Sequence, residues 1–302
     1  MHSYAPLPVG YIRLLAIIRA DEIMICSLTA PPIDSTPSFQ TISYCWGDEE
    51  ATENVVCIVQ GIPGILKVTP HLYEGLRCIF SIAGSTVVWI DAICINQSDD
   101  DEKNVQVAQM GSVYASAGNV FVWLGLAQDG SNELFDALTR FWQYLEDTHI
   151  DLAQLASAKA RGDVSALFPT LDKLAWRALA FFFRRPWFQR LWIVQEIVLA
   201  QTVSVACGMK QISWEQLYLL SKFIKMYDIR QPWSDTTKLT ARKAMLFIFH
   251  LNRIREDREQ NKDPIVRLLR LGYSQATTEP IDRSHLWYLG SSCARYQRAY
   301  PC

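Results

Sequence analysis

Short apolar runs alternate with amphipathic stretches along the first part of the chain. Residues 11–18 and 23–28 are two such runs on either side of a polar turn, which predicts a pair of strands. Residues 86–90 and 119–125 are almost continuously apolar and rich in β-branched side chains, as expected of strands that are buried on both faces. These four runs predict a sheet whose central strands are buried on both faces.

Helices and further strands fill the spaces between these runs. Thr69-Pro70 is a capping residue followed by proline at the first helical position, so a helix is predicted to begin there. A second helix is predicted to begin in the acidic stretch 99–103, whose charges complement the helix dipole. Residues 41–46 and 55–59 predict two more strands, and residues 61–64 predict a turn. The alternation predicts an α/β fold with a mostly parallel central sheet and additional N-terminal strands.

Helical periodicity dominates the chain from residue 130 onward. Helices are predicted at 134–145, 171–183, 188–199, 214–227 and 241–254, with a further helix that begins at 263–264. One more strand is expected at 202–208, near the end of a core domain that we place at residues 1–210. Residues 211–302 are expected to form a helical extension packed on that core, with an irregular tail at 291–302.

Composition and charge exclude several classes of protein. The 302 residues include 29 Lys and Arg against 31 Asp and Glu, and this net charge of −2 argues against binding to nucleic acid mainly through phosphate neutralisation. No window reaches the roughly 18 uninterrupted apolar residues of a membrane-spanning helix. The N-terminus lacks the pattern of a secretory signal. Eight scattered cysteines without a C-x-x-C pair favour reduced thiols in a cytoplasmic protein over zinc ligands or disulfides.

The motifs of several common enzyme classes are missing from the sequence. It has no glycine-rich phosphate loop, no dinucleotide-binding fingerprint, no G-x-S-x-G nucleophile elbow and no two histidines within one helical turn. Three clusters of polar residues among aromatic ones remain, at 43–48, 89–97 and 184–196. The first two follow predicted parallel strands, and the carboxyl ends of such strands face the crevice where α/β sheets bind ligands.

The third cluster holds a carboxylate near an indole. If Pro186 lies in the first turn of a helix, Trp192 and Glu196 share one face of that helix. Glu196 is then either a partly desolvated carboxylate at the crevice or the ion-pair partner of Arg185 or Arg190. The residues alone leave both alternatives open.

Together these clusters resemble one family of fungal proteins. The strings ISYCWGD at 42–48, WIDAICINQ at 89–97 and RLWIVQE at 190–196 follow the order of motifs in the heterokaryon-incompatibility (HET) domain. YIRLL at 11–15 and VWLG at 122–125 are similar to it as well, and the resemblance covers about two thirds of the chain.

The resemblance implies a cytoplasmic fungal protein that acts in non-self recognition and in programmed cell death after incompatible hyphae fuse. It also implies a distant likeness to TIR domains, which are flavodoxin-like α/β modules that self-assemble and, in some members, cleave NAD⁺. The catalytic glutamate of those enzymes lies on a helix four residues after a tryptophan, which corresponds here to Glu196 after Trp192. NAD⁺ is thus implied as a substrate, and no metal is.

The same resemblance, with the position of the motifs after strands, predicts which side chains hold a ligand. Glu196 would stabilise the cation that forms as nicotinamide departs. The expected ligand-binding residues are Tyr44, Trp46, Asp48, Asp91, Asn96, Arg185, Arg190 and Trp192. Among them, Trp46 or Trp192 would stack on a base ring, and Asp91 with Asn96 would line the crevice.

Two alternatives to an NAD⁺-cleaving enzyme stay open. The first is a non-catalytic signalling module that works by homo-oligomeric assembly, triggered by a protein partner, in which Glu196 only bridges arginines. The second is a family member that serves small-molecule metabolism. Neither nucleic-acid binding nor a membrane span is expected under any of the three.

Overall fold

The computed structural model describes residues 4–84, 86–149, 173–190, 192–226 and 235–259. Within these residues, nine strands form one sheet and eight α-helices pack around it. The strands are β1 (Leu14–Ala20), β2 (Met24–Thr29), β3 (Gln40–Tyr44), β4 (Glu53–Val59), β5 (Ile62–Val68), β6 (Thr86–Trp89), β7 (Asn119–Trp123), β8 (Val203–Cys207) and β9 (Lys210–Ser213). The helices are α1 (Pro70–Ala83), α2 (Asp91–Cys94), α3 (Asp100–Ser116), α4 (Ser131–Thr148), α5 (Lys173–Phe182), α6 (Ile193–Leu199), α7 (Trp214–Met226) and α8 (Asp235–Glu259).

The sheet that these residues form has the strand order β5-β4-β2-β1-β6-β3-β7-β8-β9. Its neighbours β6, β3, β7 and β8 are parallel to one another, as predicted for these four strands. β2 and β4 are a further parallel pair, whereas β1 with β2, β1 with β6, β4 with β5 and β8 with β9 are antiparallel. The prediction of a mostly parallel sheet is therefore wrong, because the sheet is mixed and its antiparallel ladders join more residue pairs than its parallel ones.

Tight turns account for three of the four antiparallel pairs, whereas β1 and β6 lie far apart in the chain. Gln60 and Gly61 connect β4 to β5, and both have a positive φ, of 51° and 82°, as a two-residue hairpin turn of the I′ type requires. Such a short loop can join only antiparallel neighbours. The turn predicted at 61–64 is therefore wrong for residues 62–64, which belong to β5, and Pro63 lies inside that strand. A proline is tolerated there because β5 is an edge strand.

The two faces of the sheet receive different side chains from β3. Ile42 and Tyr44 pack in a core with α1 on one face. Ser43 lies on the opposite face, where it contacts Trp187 and Glu196 in the layer of the remaining helices. The chain returns from β3 to β6 through β4, β5 and then α1 on one face, whereas it continues from β6 through α2 to α3 on the other. Neighbouring parallel strands whose connections leave on opposite faces open a crevice at their carboxyl ends.

The segment predicted as one helix at 188–199 is divided in two. Pro186–Gln189 is a single 3₁₀ turn, and α6 begins only at Ile193. Arg190 lies between them in an extended conformation, with φ −75° and ψ 138°, and its amide donates to the carbonyl of Trp187. Trp192 is consequently the residue that caps α6. Periodicity does not reveal this break, because the residues on both sides of it are apolar and buried.

Helices α7 and α8 pack against each other, and α8 also contacts α5 and α6. The helices predicted at 214–227 and 241–254 are confirmed in the described residues, although α8 begins earlier than expected. The helix predicted at 263–264 and the tail at 291–302 lie outside the described residues, and the domain division at residue 210 stays a prediction. None of the described helices combines the length and the apolar character needed to cross a bilayer.

A buried ion pair ties the N-terminal strand to the loop that follows α2. Arg13 donates to both carboxylate oxygens of Glu102, at 2.5 and 2.9 Å, and to the carbonyl of Cys94 at 3.0 Å. Glu102 also accepts the amide of Asn96 at 2.8 Å. Burial alone would raise the pKa of Glu102, but the hydrogen bonds from Arg13 and Asn96 outweigh it, so the pKa lies below its usual value. The pair fixes the loop between α2 and α3.

Replacing Glu102 with alanine is expected to lower the free energy of unfolding by about 3–5 kcal/mol, because it leaves the Arg13 guanidinium buried without its partner. Urea denaturation measures this change. Asp100→Ala is the matched control, since it removes an exposed ion pair with Lys103 from the same turn of α3 and should cost at most about 1 kcal/mol. Equal losses in the two variants would contradict the importance of the buried pair.

Candidate functional site

A cavity of about 510 Å³ opens at the carboxyl ends of β3 and β6. Its walls are formed by the residues after β3, the loop after β6, one face of α3 and the chain around the start of α6. The residues that line it are Cys45, Trp46, Gly47, Asp91, Ile95, Gln97, Lys103, Val107, Met110, Arg190 and Trp192. The position is the crevice that the strand connections predict.

Asp91 brings a carboxylate to this cavity from the end of β6. Its Oδ1 accepts the amide of Ala92 at 2.8 Å, and its Oδ2 accepts the indole N–H of Trp46 at 3.0 Å. The side-chain amide of Gln97 donates to the Asp91 carbonyl at 2.8 Å. Because Trp46 follows β3, the carboxylate links the ends of the two neighbouring strands.

The pKa of Asp91 is raised from 3.8 to about 6. Burial is the main cause, and the negative charge of Glu196 adds to it. The Arg190 guanidinium and the hydrogen bonds from Ala92 and Trp46 lower the pKa without cancelling these effects. Asp91 therefore gains a proton slightly below neutral pH, where it changes from a hydrogen-bond acceptor into a group that can also donate.

Arg190 brings a positive charge to the same cavity. Its Nη2 donates to Glu196 Oε1 at 3.1 Å, and its Nη1 lies 3.5 Å from Oε2. The Arg190 side chain is 19% exposed and that of Glu196 only 1%. Arg190 lines the cavity and Glu196 does not, so the glutamate lies behind the arginine.

Glu196 has a second partner on β3. The hydroxyl of Ser43 donates to Glu196 Oε2, and the same hydroxyl accepts the indole N–H of Trp187 at 2.7 Å. Burial would lower the pKa of Arg190, but the negative charge of Glu196 outweighs it and the pKa is raised. Arg190 is therefore a permanent cation at the cavity wall.

Two indoles flank this pair of opposite charges. Trp46 is 42% exposed at the cavity wall, and Trp192 caps α6 beside Arg190. Tyr44, one residue before the cavity wall, packs instead in the core on the other face of the sheet. It stacks there with His71, with 6.1 Å between the ring centroids. Tyr44 and Trp46 are two positions apart, but β3 ends at Tyr44, so the alternation of side chains along a strand does not extend to Trp46.

The cavity brings together four of the predicted site residues, namely Trp46, Asp91, Arg190 and Trp192. Three others lie elsewhere. Asp48 is exposed and does not line the cavity, and Asn96 accepts hydrogen bonds from the amide and hydroxyl of its neighbour Ser98. Arg185 is buried and donates to two carbonyls of the loop after β7. Ligand binding by all eight of the predicted residues, and catalysis by Glu196, stay predictions.

Sequence reasoning missed several residues of the cavity and of its support. The missed lining residues are Cys45, Gly47, Ile95, Gln97, Lys103, Val107 and Met110. Four of them stand inside the motifs already singled out, and Lys103, Val107 and Met110 recur at the spacing of one helical face. Periodicity alone cannot separate a cavity wall from a core face, because both are apolar. Ser43 lies in the first polar cluster, but the sequence gave no signal of its role, because its partners are more than 140 residues away in the chain.

The raised pKa of Asp91 predicts how stability depends on pH. Between pH 4 and pH 6 the folded protein holds a proton on Asp91 that the unfolded chain has released, so stability falls as the pH rises through this interval. A difference from 3.8 to about 6 corresponds to about 3 kcal/mol. Asp91→Asn removes this contribution, and urea denaturation at several pH values should show a correspondingly smaller decline for the variant.

The exposed carboxylate of Asp34 supplies the control for that measurement. Asp34→Asn should retain the pH dependence of the wild-type protein. If the curves of wild type and Asp91→Asn stay parallel from pH 4 to pH 6, Asp91 does not hold a proton in this range.

Comparison with known proteins agrees with the motifs. Residues 39–196 match the family model described as "Heterokaryon incompatibility protein (HET)", and every residue that lines the cavity lies within this match. "Heterokaryon incompatibility protein 6, OR allele" of Neurospora crassa is 32% identical over 246 residues, which are 72% of this chain and 36% of that relative. The chain thus spans little more than a third of the length of the curated relative that it matches. No solved structure matches it at a significant level. The family match and this identity show that the chain belongs to the heterokaryon incompatibility (HET) family.

Proposed function

We propose that the chain acts in heterokaryon incompatibility, in the fungal cytoplasm, as a module that responds to non-self and promotes cell death. Its relative in Neurospora crassa bears the name of that process. One structural observation supports a mechanism for it, which is the convergence of Asp91, Arg190 and two tryptophans on a single cavity. We take this cavity to be the working site of the module.

The cavity suits a ligand that combines an aromatic ring with charged groups. Trp46 and Trp192 offer indole faces for stacking, Arg190 offers a partner for an anion, and Asp91 offers a partner for a cation. The volume of about 510 Å³ lies within the range of about 300–1,000 Å³ that is usual for small-molecule sites. A nicotinamide dinucleotide has a cationic ring and a pyrophosphate, so NAD⁺ is the ligand that we propose.

The proposed reaction releases nicotinamide from NAD⁺. The bond between ribose C1′ and the ring nitrogen breaks, nicotinamide leaves with the electron pair, and water adds to C1′ to give ADP-ribose and a proton. A carboxylate near C1′ stabilises the cation that develops in the transition state. Asp91 offers this carboxylate on the cavity wall, whereas Glu196 would have to reach past Arg190.

Nicotinamide release from NAD⁺, followed by chromatography with the full chain, tests this activity. We expect turnover that falls about a hundredfold in Asp91→Asn, because the developing positive charge loses its partner. Glu196→Gln should also lower the rate, since it disturbs Arg190. Glu133→Gln replaces an exposed carboxylate on α4 and should leave the rate unchanged.

The assay is run both at low protein concentration and at the highest soluble concentration, because the activity of a self-assembling module depends on assembly. If the wild-type protein releases no nicotinamide in either form, the enzymatic part of the proposal fails. If Asp91→Asn turns over like the wild type, Asp91 is not the group that stabilises the cation.

A second candidate function is a non-catalytic module that signals by homo-oligomeric assembly when a protein partner triggers it. The observation that favours it is that both oxygens of the Glu196 carboxylate accept hydrogen bonds inside the protein. A carboxylate with satisfied partners stabilises the fold without any need for a substrate. Light scattering should then show oligomers that grow with protein concentration, without nicotinamide release. A monomer at all concentrations would contradict assembly of the chain by itself.

A further inference from the structure

We infer that Trp187, Ser43 and Glu196 form a buried chain of hydrogen bonds that holds the Arg190 guanidinium at the cavity wall as the receptor for a phosphate group of the ligand. This inference rests on the proposed function, whose ligand occupies the same cavity. It makes Glu196 a positioning residue that acts through Arg190.

Donor and acceptor chemistry fixes the direction of each hydrogen bond in this series, from Trp187 through Ser43 to Glu196. The indole N–H of Trp187 can only donate, so the Ser43 hydroxyl oxygen must accept it. The one hydroxyl proton of Ser43 then goes to Glu196 Oε2, which requires that this oxygen be an acceptor. Because Oε1 accepts from Arg190, both carboxylate oxygens act as acceptors in this arrangement.

Burial makes this series of hydrogen bonds selective for an arginine at position 190. An ionised carboxylate that is only 1% exposed is costly to bury unless it is paired and hydrogen-bonded. The planar guanidinium meets both oxygens of Glu196, which a lysine ammonium cannot do in the same way. The orientation of Arg190 is thereby fixed from behind, by residues that a ligand does not touch.

Arg190 retains N–H donors for a ligand while its guanidinium is bound to Glu196. A guanidinium has five N–H donors, and Glu196 uses two of them. Lys103 adds a second cation to the same cavity wall, where it also pairs with Asp100 at 2.8 Å. Asp91 is the carboxylate that lines this cavity in the described part of the chain, so an anionic group is directed towards Arg190 and Lys103 and away from Asp91.

Inorganic pyrophosphate is the probe for this receptor, and calorimetric titration of the full chain measures its affinity. Arg190→Gln should weaken binding about a hundredfold, and Glu196→Gln and Ser43→Ala about tenfold each, because charged hydrogen bonds are lost or misdirected. Arg190→Lys should bind less tightly than the wild type, because lysine keeps the positive charge but lacks the paired N–H donors of the planar guanidinium. Glu133→Gln and Ser35→Ala, both at exposed positions, are the matched controls and should bind as the wild type does.

A spectroscopic measurement separates positioning from a general loss of structure. Carboxyl-carbon NMR follows the titration of Asp91, whose pKa is raised by burial and by the nearby charge of Glu196. Glu196→Gln removes that charge and should lower the pKa of Asp91, whereas Ser43→Ala leaves the charge in place and should change it little. A variant that merely unfolds would shift Asp91 to the value of an unstructured chain.

Each outcome bears on one of the two proposals. If Arg190→Gln loses affinity while Glu196→Gln and Ser43→Ala bind pyrophosphate as the wild type does, the positioning chain is refuted. If the wild type cleaves NAD⁺ but does not bind pyrophosphate, the phosphate receptor is refuted and the proposed function stands. If pyrophosphate binds with the expected order of variants and NAD⁺ is not cleaved, the receptor stands and the proposed enzymatic activity fails.

Discussion

The parallel pairing of β3 with β6 is the constraint on which the candidate site depends. In the register of this pair, Gln40 lies opposite Val88 and Thr41 opposite Trp89. That register brings the residues that follow each strand to the same edge of the sheet, so that Trp46 can donate to Asp91. A slip of one residue would exchange the faces of every side chain on the strand and would turn Ser43 away from Glu196.

Two ion pairs with buried side chains support this edge. Arg13 and Glu102 fix the loop that carries the chain away from Asp91, and Arg190 and Glu196 fix the wall across from it. Buried ion pairs contribute little net stability when desolvation is counted, but losing one partner is costly. Their placement around Asp91 therefore fixes the geometry of the site more than it raises the stability of the fold. A polar edge that is held rigidly in this way is what a ligand site needs, because preorganised groups lose less entropy on binding.

The raised pKa of Asp91 is a further cost in stability that comes with the geometry of this site. A carboxylate at the wall of a partly apolar cavity is poorly solvated, and the neighbouring Glu196 raises its pKa further. Arg190 compensates for only part of this cost, because it is already engaged by Glu196. The site thus contains a cation whose charge is permanent and an anion whose charge depends on pH. Such an unequal pair is more common at functional sites than at ion pairs that only stabilise a fold.

Much of the architecture follows from local patterns. The almost continuously apolar, β-branched runs at 86–90 and 119–125 favour central strands, and the motifs after β3 and β6 indicate the edge where the cavity lies. Four of the predicted site residues do meet there. The mixed sheet was harder to foresee, because the hairpin strands β5 and β9 contain exposed residues, with a proline in β5 and a lysine in each. Their direction depends on turn geometry and not on hydrophobic pattern.

Local sequence therefore determined most of the elements, the central parallel strands and the motifs that belong to the HET family, since these depend on propensity, periodicity and residue order. Tertiary structure alone decided which charges meet. Glu196 is six residues from Arg190 but 153 from Ser43, and only the folded sheet brings all three together. The break at Arg190 likewise appears only in the folded chain, where Trp187 and Glu196 are both buried and the residue between their segments lines the cavity. Hydrogen bonds over such separations leave no periodic signal, because they satisfy the geometry of one site and not of a repeating element.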